Sequence, residues 1–166
     1  MKTGIKRKKR LSEFTIREYG INAVLMLILF LFGLYLSWKL STFAGMLYVL
    51  LWIASYPIIH ATACRHCVYH GKQCPVPLEG GCSHLIFERG NNFGLFAGVG
   101  VLLAYFLRVC IPYVAIVQAG SVAYFVLYTG VIIIFFYVLF YHTGCPNCIN
   151  RKCPMNPDFS FLHPSI

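Results

Sequence analysis

Four long apolar runs, separated by polar segments of very unequal length, set the plan of this chain. The first, residues 21–38 (INAVLMLILFLFGLYLSW), approaches the ~20 residues needed to span a ~30 Å hydrocarbon core. The second, 43–59, follows after only a short WKLST corner. The third covers 92–107 and extends towards Tyr113; the fourth, 121–141, carries no charged residue. Between these two the pattern blurs, because RVCIPYVAIVQAG (108–120) is itself mostly apolar. Arg108, Pro112 and Gly120 mark the expected turn there. Arg108 is then expected to snorkel outward from the end of its helix. The sharper alternative is a charge held inside the membrane for a functional reason.

The expected fold is all-α and integral to a membrane, with four transmembrane helices as two tandem helical hairpins. Each hairpin is followed by a cytoplasmic Cys/His-rich loop. The corresponding divisions are a basic tail (1–19), a first hairpin with its loop (20–91), and a second hairpin with a Cys-rich C-terminal tail (92–166). Composition agrees. Of the 166 residues 58% are hydrophobic and only 11% charged, with a mean hydropathy of +0.69, so more apolar surface is present than a soluble domain of this length can bury. The basic start followed by an apolar stretch has the outline of a secretory signal. Its apolar part, however, is longer than the ~7–15 residues of such signals and ends in LYLSWKL, without small residues for cleavage. A retained helix is expected.

The net charge of +9 would suit nucleic acid, but half of the 14 Lys and Arg lie in the first seventeen residues. They read as a topology signal. With the N-terminus inside, Lys2, Lys6, Arg7, Lys8, Lys9, Arg10, Arg17, Arg65, Lys72, Arg89, Arg151 and Lys152 all fall on the cytoplasmic side, against Lys39 and Arg108 outside. Tyr35 and Trp38 suit the outer interface. Both termini and both cysteine clusters are therefore expected to be cytoplasmic, on a plasma or inner membrane. That compartment keeps thiols reduced, which favours metal binding or redox chemistry over static disulfides.

The cysteines form an internal repeat. YPIIHATACRHCVYHGKQCP (56–75) and VLFYHTGCPNCINRKCP (138–154) each run from a helix end through His and Cys-x2-Cys to a third Cys followed by Pro. Two helices per copy start both copies on the same face, and an axis along the membrane normal would bring the clusters together. Cys64, Cys67, Cys74 and Cys82 offer four thiolates, enough for tetrahedral zinc or an iron–sulfur cluster. Gly71, Gly80 and Gly81 would let that loop wrap, and His66, His70 and His84 are alternative ligands. Cys145, Cys148 and Cys153 need a fourth group, such as His142 or one from the first loop. A shared site built from Cys64, Cys67, Cys145 and Cys148 is equally drawable. His60 and His142 read equally well as interfacial caps or as ligands. Cys110, in an apolar run and without a partner motif, reads as a small apolar residue.

Zinc is favoured as the metal, because it accepts mixed Cys/His sets and needs no redox partner. Iron–sulfur is the alternative: Cys74-Pro75 and Cys153-Pro154 are similar to the last Cys-Pro of bacterial ferredoxin runs, whose compact Cys-x2-Cys-x2-Cys is missing. Copper(I) also suits thiolates. In outline the chain resembles the four-helix, quinone-linked disulfide-forming enzymes, which carry Cys pairs at helix ends. That resemblance implies thiol–disulfide exchange, although those enzymes work on the oxidising face. Soft-metal transport would need thiols along a path, and only Cys110 lies within the apolar runs.

No Gly-rich phosphate loop, Ser/His/Asp set or carboxylate pair appears. Glu13, Glu18, Glu79, Glu88 and Asp158 all lie outside the apolar runs, which argues against an ion-coupled transporter. The leading expectation is a structural or accessory membrane protein, with an electron carrier or a thiol oxidoreductase as alternatives. Its partners would be the bilayer, another membrane or cytoplasmic protein, or a second copy of the chain. The basic N-terminus also suits acidic headgroups, at ~1 kcal/mol per residue near the surface. On the third helix, Gly94-xxx-Gly98 and Gly100-xxx-Ala104 offer small-residue faces for close helix approach, and Asn91 and Asn92 would cap it. Nothing is assigned to His163.

Overall fold

The computed structural model describes residues 8–76, 79, 81–90, 95–150, 153 and 156. Expectations for Lys2, Lys6, Arg7, Gly80, Asn91, Asn92, Gly94, Arg151, Lys152, Pro154, Asp158 and His163 lie outside the described residues. Four helices are long and apolar enough to cross a membrane. They are α1 (Ile16–Leu40), α2 (Thr42–Thr62), α3 (Leu95–Ala119) and α4 (Val122–Tyr137), the last continued by a π-helical turn over Val138–Thr143. Among the described residues there is no strand, only an isolated bridge between Leu11 and Cys148.

Local chemistry sets the helix ends. Glu18 accepts hydrogen bonds from the Thr15 amide (2.8 Å) and hydroxyl (2.9 Å) at the start of α1, half of a capping box. An extended Ser41 ends α1 and caps α2, its hydroxyl accepting from the Ala44 amide at 3.0 Å. The α3–α4 corner needs a left-handed residue, and Gly120 supplies it at φ +59°. Ser121 then caps α4.

One boundary differs from the sequence expectation. The third helix does not stop at 107 or 113 but runs on to Ala119. Pro112 sits inside it, fully buried. A proline is tolerated there because surrounding helices shelter the backbone carbonyl it leaves without an amide partner. Its ring lies against the Gly33 position of α1. The turn is at Gly120 alone. Arg108 therefore lies in mid-helix, with no exposed side chain, and the expectation of an outward-snorkelling end residue is overturned.

The four helices are not two equal hairpins. α2 and α3 share the broadest interface, α1 touches all three others, and α3 meets α4 only thinly. Gly100 makes the α2–α3 crossing close, since a Cβ there would collide with Thr62. Ala97 and Ala104 share that buried face. Gly98 faces open space, so it is not a packing residue, whereas Gly100-xxx-Ala104 is. Gly33 admits Tyr48 in the same way. The core is aromatic: Trp52, Tyr48, Tyr128 and Phe135 are buried around Met26, Leu29 and Ile116. Outward-facing Phe43, Leu50, Leu102, Val117 and Val122 stay exposed, a surface suited to lipid tails.

All the chemistry-bearing segments gather at one end, where α1 begins and α2 and α4 finish. The chain before α1 lies on the chain after α4: Lys8 and Leu11 amides donate to the Pro146 and Asn147 carbonyls, each at 3.0 Å. The Phe14 amide reaches Gln73 of the α2–α3 loop at 3.1 Å. Asn22, fully buried in α1, ties the two Cys-rich segments, donating to the Pro75 carbonyl (2.7 Å) and to Thr143 Oγ1 (2.8 Å).

Candidate functional site

Each Cys-x2-Cys pair folds into the same local turn. Cys64–His66 and Cys145–Asn147 are single 3-10 turns. In each, the second cysteine's amide donates to the first one's carbonyl, at 3.1 Å for Cys67 and 3.3 Å for Cys148. Both second cysteines are extended, with φ −82° and −74°. Two cysteines three apart on a closed turn project from neighbouring backbone positions, which is the use metal-binding knuckles make of this spacing.

The two turns are joined by polar contacts that the sequence pattern does not announce. Asn150 approaches the Cys67 sulfur with its side-chain amide at 3.5 Å, and its backbone amide donates to Cys148 Sγ at 3.4 Å. Tyr69, almost fully buried, donates to the Leu11 carbonyl (2.7 Å) and accepts from the Ile149 amide (3.1 Å). Phe14 packs edge-on against it, with ring centroids 5.5 Å apart. Burial pushes the Cys67 thiol up to about 11; a Tyr69 backbone hydrogen bond opposes this, and the nearby Cys148 and Cys153 thiols add to it. Cys67, from the first loop, is thus linked through Asn150 to Cys148 of the tail.

A second group of thiols lies further into the bundle. Cys64 is buried, with Glu79, Cys74, Cys67 and Arg108 as its electrostatic neighbours. Cys74 Sγ donates to the Val76 carbonyl at 2.8 Å. Cys82 opens the 3-10 turn Ser83–Leu85, which packs on the Cys64 turn. Among the described residues no three His, Cys, Asp or Glu side chains converge closely enough to hold a metal ion.

The histidines are placed less centrally. His70 Nε2 lies 2.9 Å from the Phe87 carbonyl and His84 Nδ1 2.7 Å from the Gly81 carbonyl, so each is engaged by its own loop. The His66 ring is wedged against Gly90. His60 is buried beside Tyr56. His142 is exposed at the π-helical end of α4 and packs on Tyr137 at 5.3 Å. Cys110 bonds weakly back to the Leu107 carbonyl of its own helix, at 3.6 Å.

A further site centres on Arg108, which the sequence offered only as the alternative to a snorkelling residue and without a partner. Its Nε donates to Ser55 Oγ at 2.8 Å and its Nη1 to Glu79 Oε1 at 3.0 Å. Trp52, Tyr56 and Tyr105 surround it, with ring centroids 5.2, 4.8 and 4.9 Å from Cζ, a cation–π cage. Glu79 belongs to the α2–α3 loop, yet it is buried against a mid-helix arginine. Ser55 stands seven residues before the end of α2, about 10 Å along the axis. The Glu79 side chain therefore meets Arg108 below the end of α2. Burial pushes the Glu79 carboxyl above its usual range, and the Arg108 guanidinium opposes that shift. A carboxylate does lie among the helices, contrary to what the apolar runs alone imply. The only advance signal was a single arginine in an otherwise apolar stretch.

At the opposite end Lys39 donates to Tyr124 Oη at 3.0 Å and lies over the Tyr35 ring, an interfacial arrangement of the kind expected there. Compared with known proteins, the chain matches no family model, no curated protein and no solved structure.

Proposed function

We propose that the two Cys-x2-Cys segments build one shared thiolate site for a soft metal ion, zinc by preference, at the cytoplasmic end of a four-helix membrane bundle. Its role is structural or accessory: the metal fastens the α2–α3 loop to the C-terminal tail and presents a rigid face to a protein partner. The observation that carries this reading is Asn150 of the tail, whose side-chain amide approaches Cys67 Sγ while its backbone amide donates to Cys148 Sγ. The fourth ligand is Cys64 or Cys145, the residues that open the two matching turns. A separate site from Cys64, Cys67, Cys74 and Cys82 has less support, because Cys67 is approached by Asn150 of the tail and Cys74 is bonded to Val76. Metal binding would draw the sulfurs onto one point and release their protons, so affinity would add directly to folding stability. The bias of basic residues supports the cytoplasmic placement.

Metal content of the full chain, purified anaerobically in detergent, tests this. One zinc per chain is expected, lost in both Cys67→Ser and Cys148→Ser. Retention of a full equivalent in Cys148→Ser would establish separate sites instead. A brown preparation that bleaches on reduction, with matching sulfide, would move the reading to an iron–sulfur electron carrier.

Thiol–disulfide exchange is a second reading, supported by the thiols of Cys67 and Cys148, which share Asn150 as a neighbour. A metal-free protein that forms a Cys67–Cys148 disulfide reversibly, and passes it on to Cys64, would favour it over zinc.

A further inference from the structure

The thiol site leaves the Arg108 cluster without a role. A buried ion pair is weak evidence for stability, because desolvation offsets much of its attraction. This pair is also incompletely made. The contact to Glu79 is through Nη1 alone, and Nη2 is buried with no hydrogen-bond partner among the described residues. Tyr105, whose ring faces the guanidinium, has a buried hydroxyl in the same condition. A guanidinium presents five N–H donors in a fixed fork that matches a carboxylate with two parallel bonds. Here only one prong is used by the carboxylate and one by Ser55.

The remaining geometry is that of a receptor. Three aromatic rings fix the guanidinium plane, Ser55 fixes its Nε, and a donor edge without a partner among the described residues is buried. The occupant of the other edge comes from a loop and not from a helix, so it can be withdrawn without dismantling the bundle. We infer that Arg108 is the receptor of an intramembrane anion site for a small monocarboxylate, and that Glu79 is its self-supplied occupant. A single positive charge selects a monoanion, since a dianion would leave net charge in an apolar site. Its mid-helix depth excludes lipid headgroups. Binding of a guest carboxylate at Arg108 displaces Glu79 and loosens the segment between Cys74 and Cys82.

Trp52 lies 5.2 Å from the Arg108 carbon and is one of only two tryptophans, so it reports on the site in a Trp38→Phe background. Full-length protein in detergent is titrated with sodium acetate at constant ionic strength against chloride, following Trp52 emission. A saturable change is expected. Adding Glu79→Gln, which keeps the side-chain shape but leaves the Arg108 charge unpaired until acetate binds, is expected to shift the midpoint about tenfold lower. Arg108→Gln with Glu79→Gln leaves a neutral pair of similar shape, which keeps the fold where Arg108→Gln alone would strand a charge. It is expected to abolish the response. No saturable change up to about 100 mM acetate in the Glu79→Gln protein would overturn the inference. So would an equal response from the doubly neutral variant, or an unshifted midpoint in Glu79→Gln.

Discussion

The first and second Cys-x2-Cys segments make the same 3-10 turn in opposite surroundings. The first is turned inward: Cys64 is buried within electrostatic reach of Arg108 and Glu79. The second is capped from outside, by residues 8–11 pairing with Pro146 and Asn147. Sequence repetition sets the local turn, because four-residue closure depends on neighbours alone. What each turn faces depends on the segments that follow and precede it. The first has a loop long enough to send Glu79 back into the bundle, and the second is followed by a tail and covered by the chain's start.

This contrast predicts where the molecule is brittle. The largest effect is expected at the inward turn. Glu79→Ala leaves Arg108 as an unpaired charge among the helices, a change that costs about 3–5 kcal/mol where one partner of a buried pair is removed. Denaturation followed in detergent should show it as a large loss of stability. The paired change Arg108→Met with Glu79→Leu, which removes both charges at similar volume, should recover most of it. A Glu79→Ala protein as stable as the parent would mean that Glu79 does not neutralise Arg108 among the helices.

The next effect concerns how the inward turn is held from its helix side. Thr62 closes α2 immediately before the first Cys turn and crosses α3 at Gly100. Gly100→Leu must push these helices apart, and overpacking of this kind costs about 1–3 kcal/mol. Two residues away, Gly98 faces open space, and Gly98→Leu should change stability little. Equal effects at the two glycines would contradict the register of α3.

Asn22 sharpens the comparison, since it serves both turns at once through Pro75 and Thr143. Asn22→Ala leaves a buried carbonyl and a hydroxyl short of a partner, at about 1–3 kcal/mol. Thiol labelling of the unfolding protein should then find Cys74 and Cys145 exposed together. If only one of them gains reactivity, the two segments are held independently.

Much of this architecture was legible beforehand. Apolar length and the absence of charge fix four spans, and Cys-x2-Cys after each second helix places both clusters at one end. The depth of Arg108 was not legible, because an arginine near the apparent end of an apolar run looks the same whether it snorkels or is buried. Its partner lies 29 residues away in a loop whose own composition is that of a surface turn. The pairing of residues 8–11 with the second turn was hidden for another reason: it is made by backbone amides, which leave no pattern in the side chains. Basic side chains there read as a topology signal, and that reading masks a structural role for the same residues.

The smallest effect is expected at the outward turn. Asn147 donates its side-chain amide to the Thr143 carbonyl at 2.8 Å and accepts the Lys9 amide at 3.1 Å. Its backbone carbonyl also holds the Leu11 amide. Asn147→Ala removes the two side-chain bonds and keeps the backbone one, so about 1 kcal/mol of stability should be lost. The groups freed lie close to the surface, where water can take the place of the lost side chain. Limited proteolysis separates this from a general loosening. Cleavage near Lys8, Lys9 and Arg10 should speed up in Asn147→Ala while the rate in the α2–α3 loop, at Lys72, stays unchanged. Faster cleavage at both places would mean that the outward cap supports the inward turn as well, and that the two copies behave as one unit.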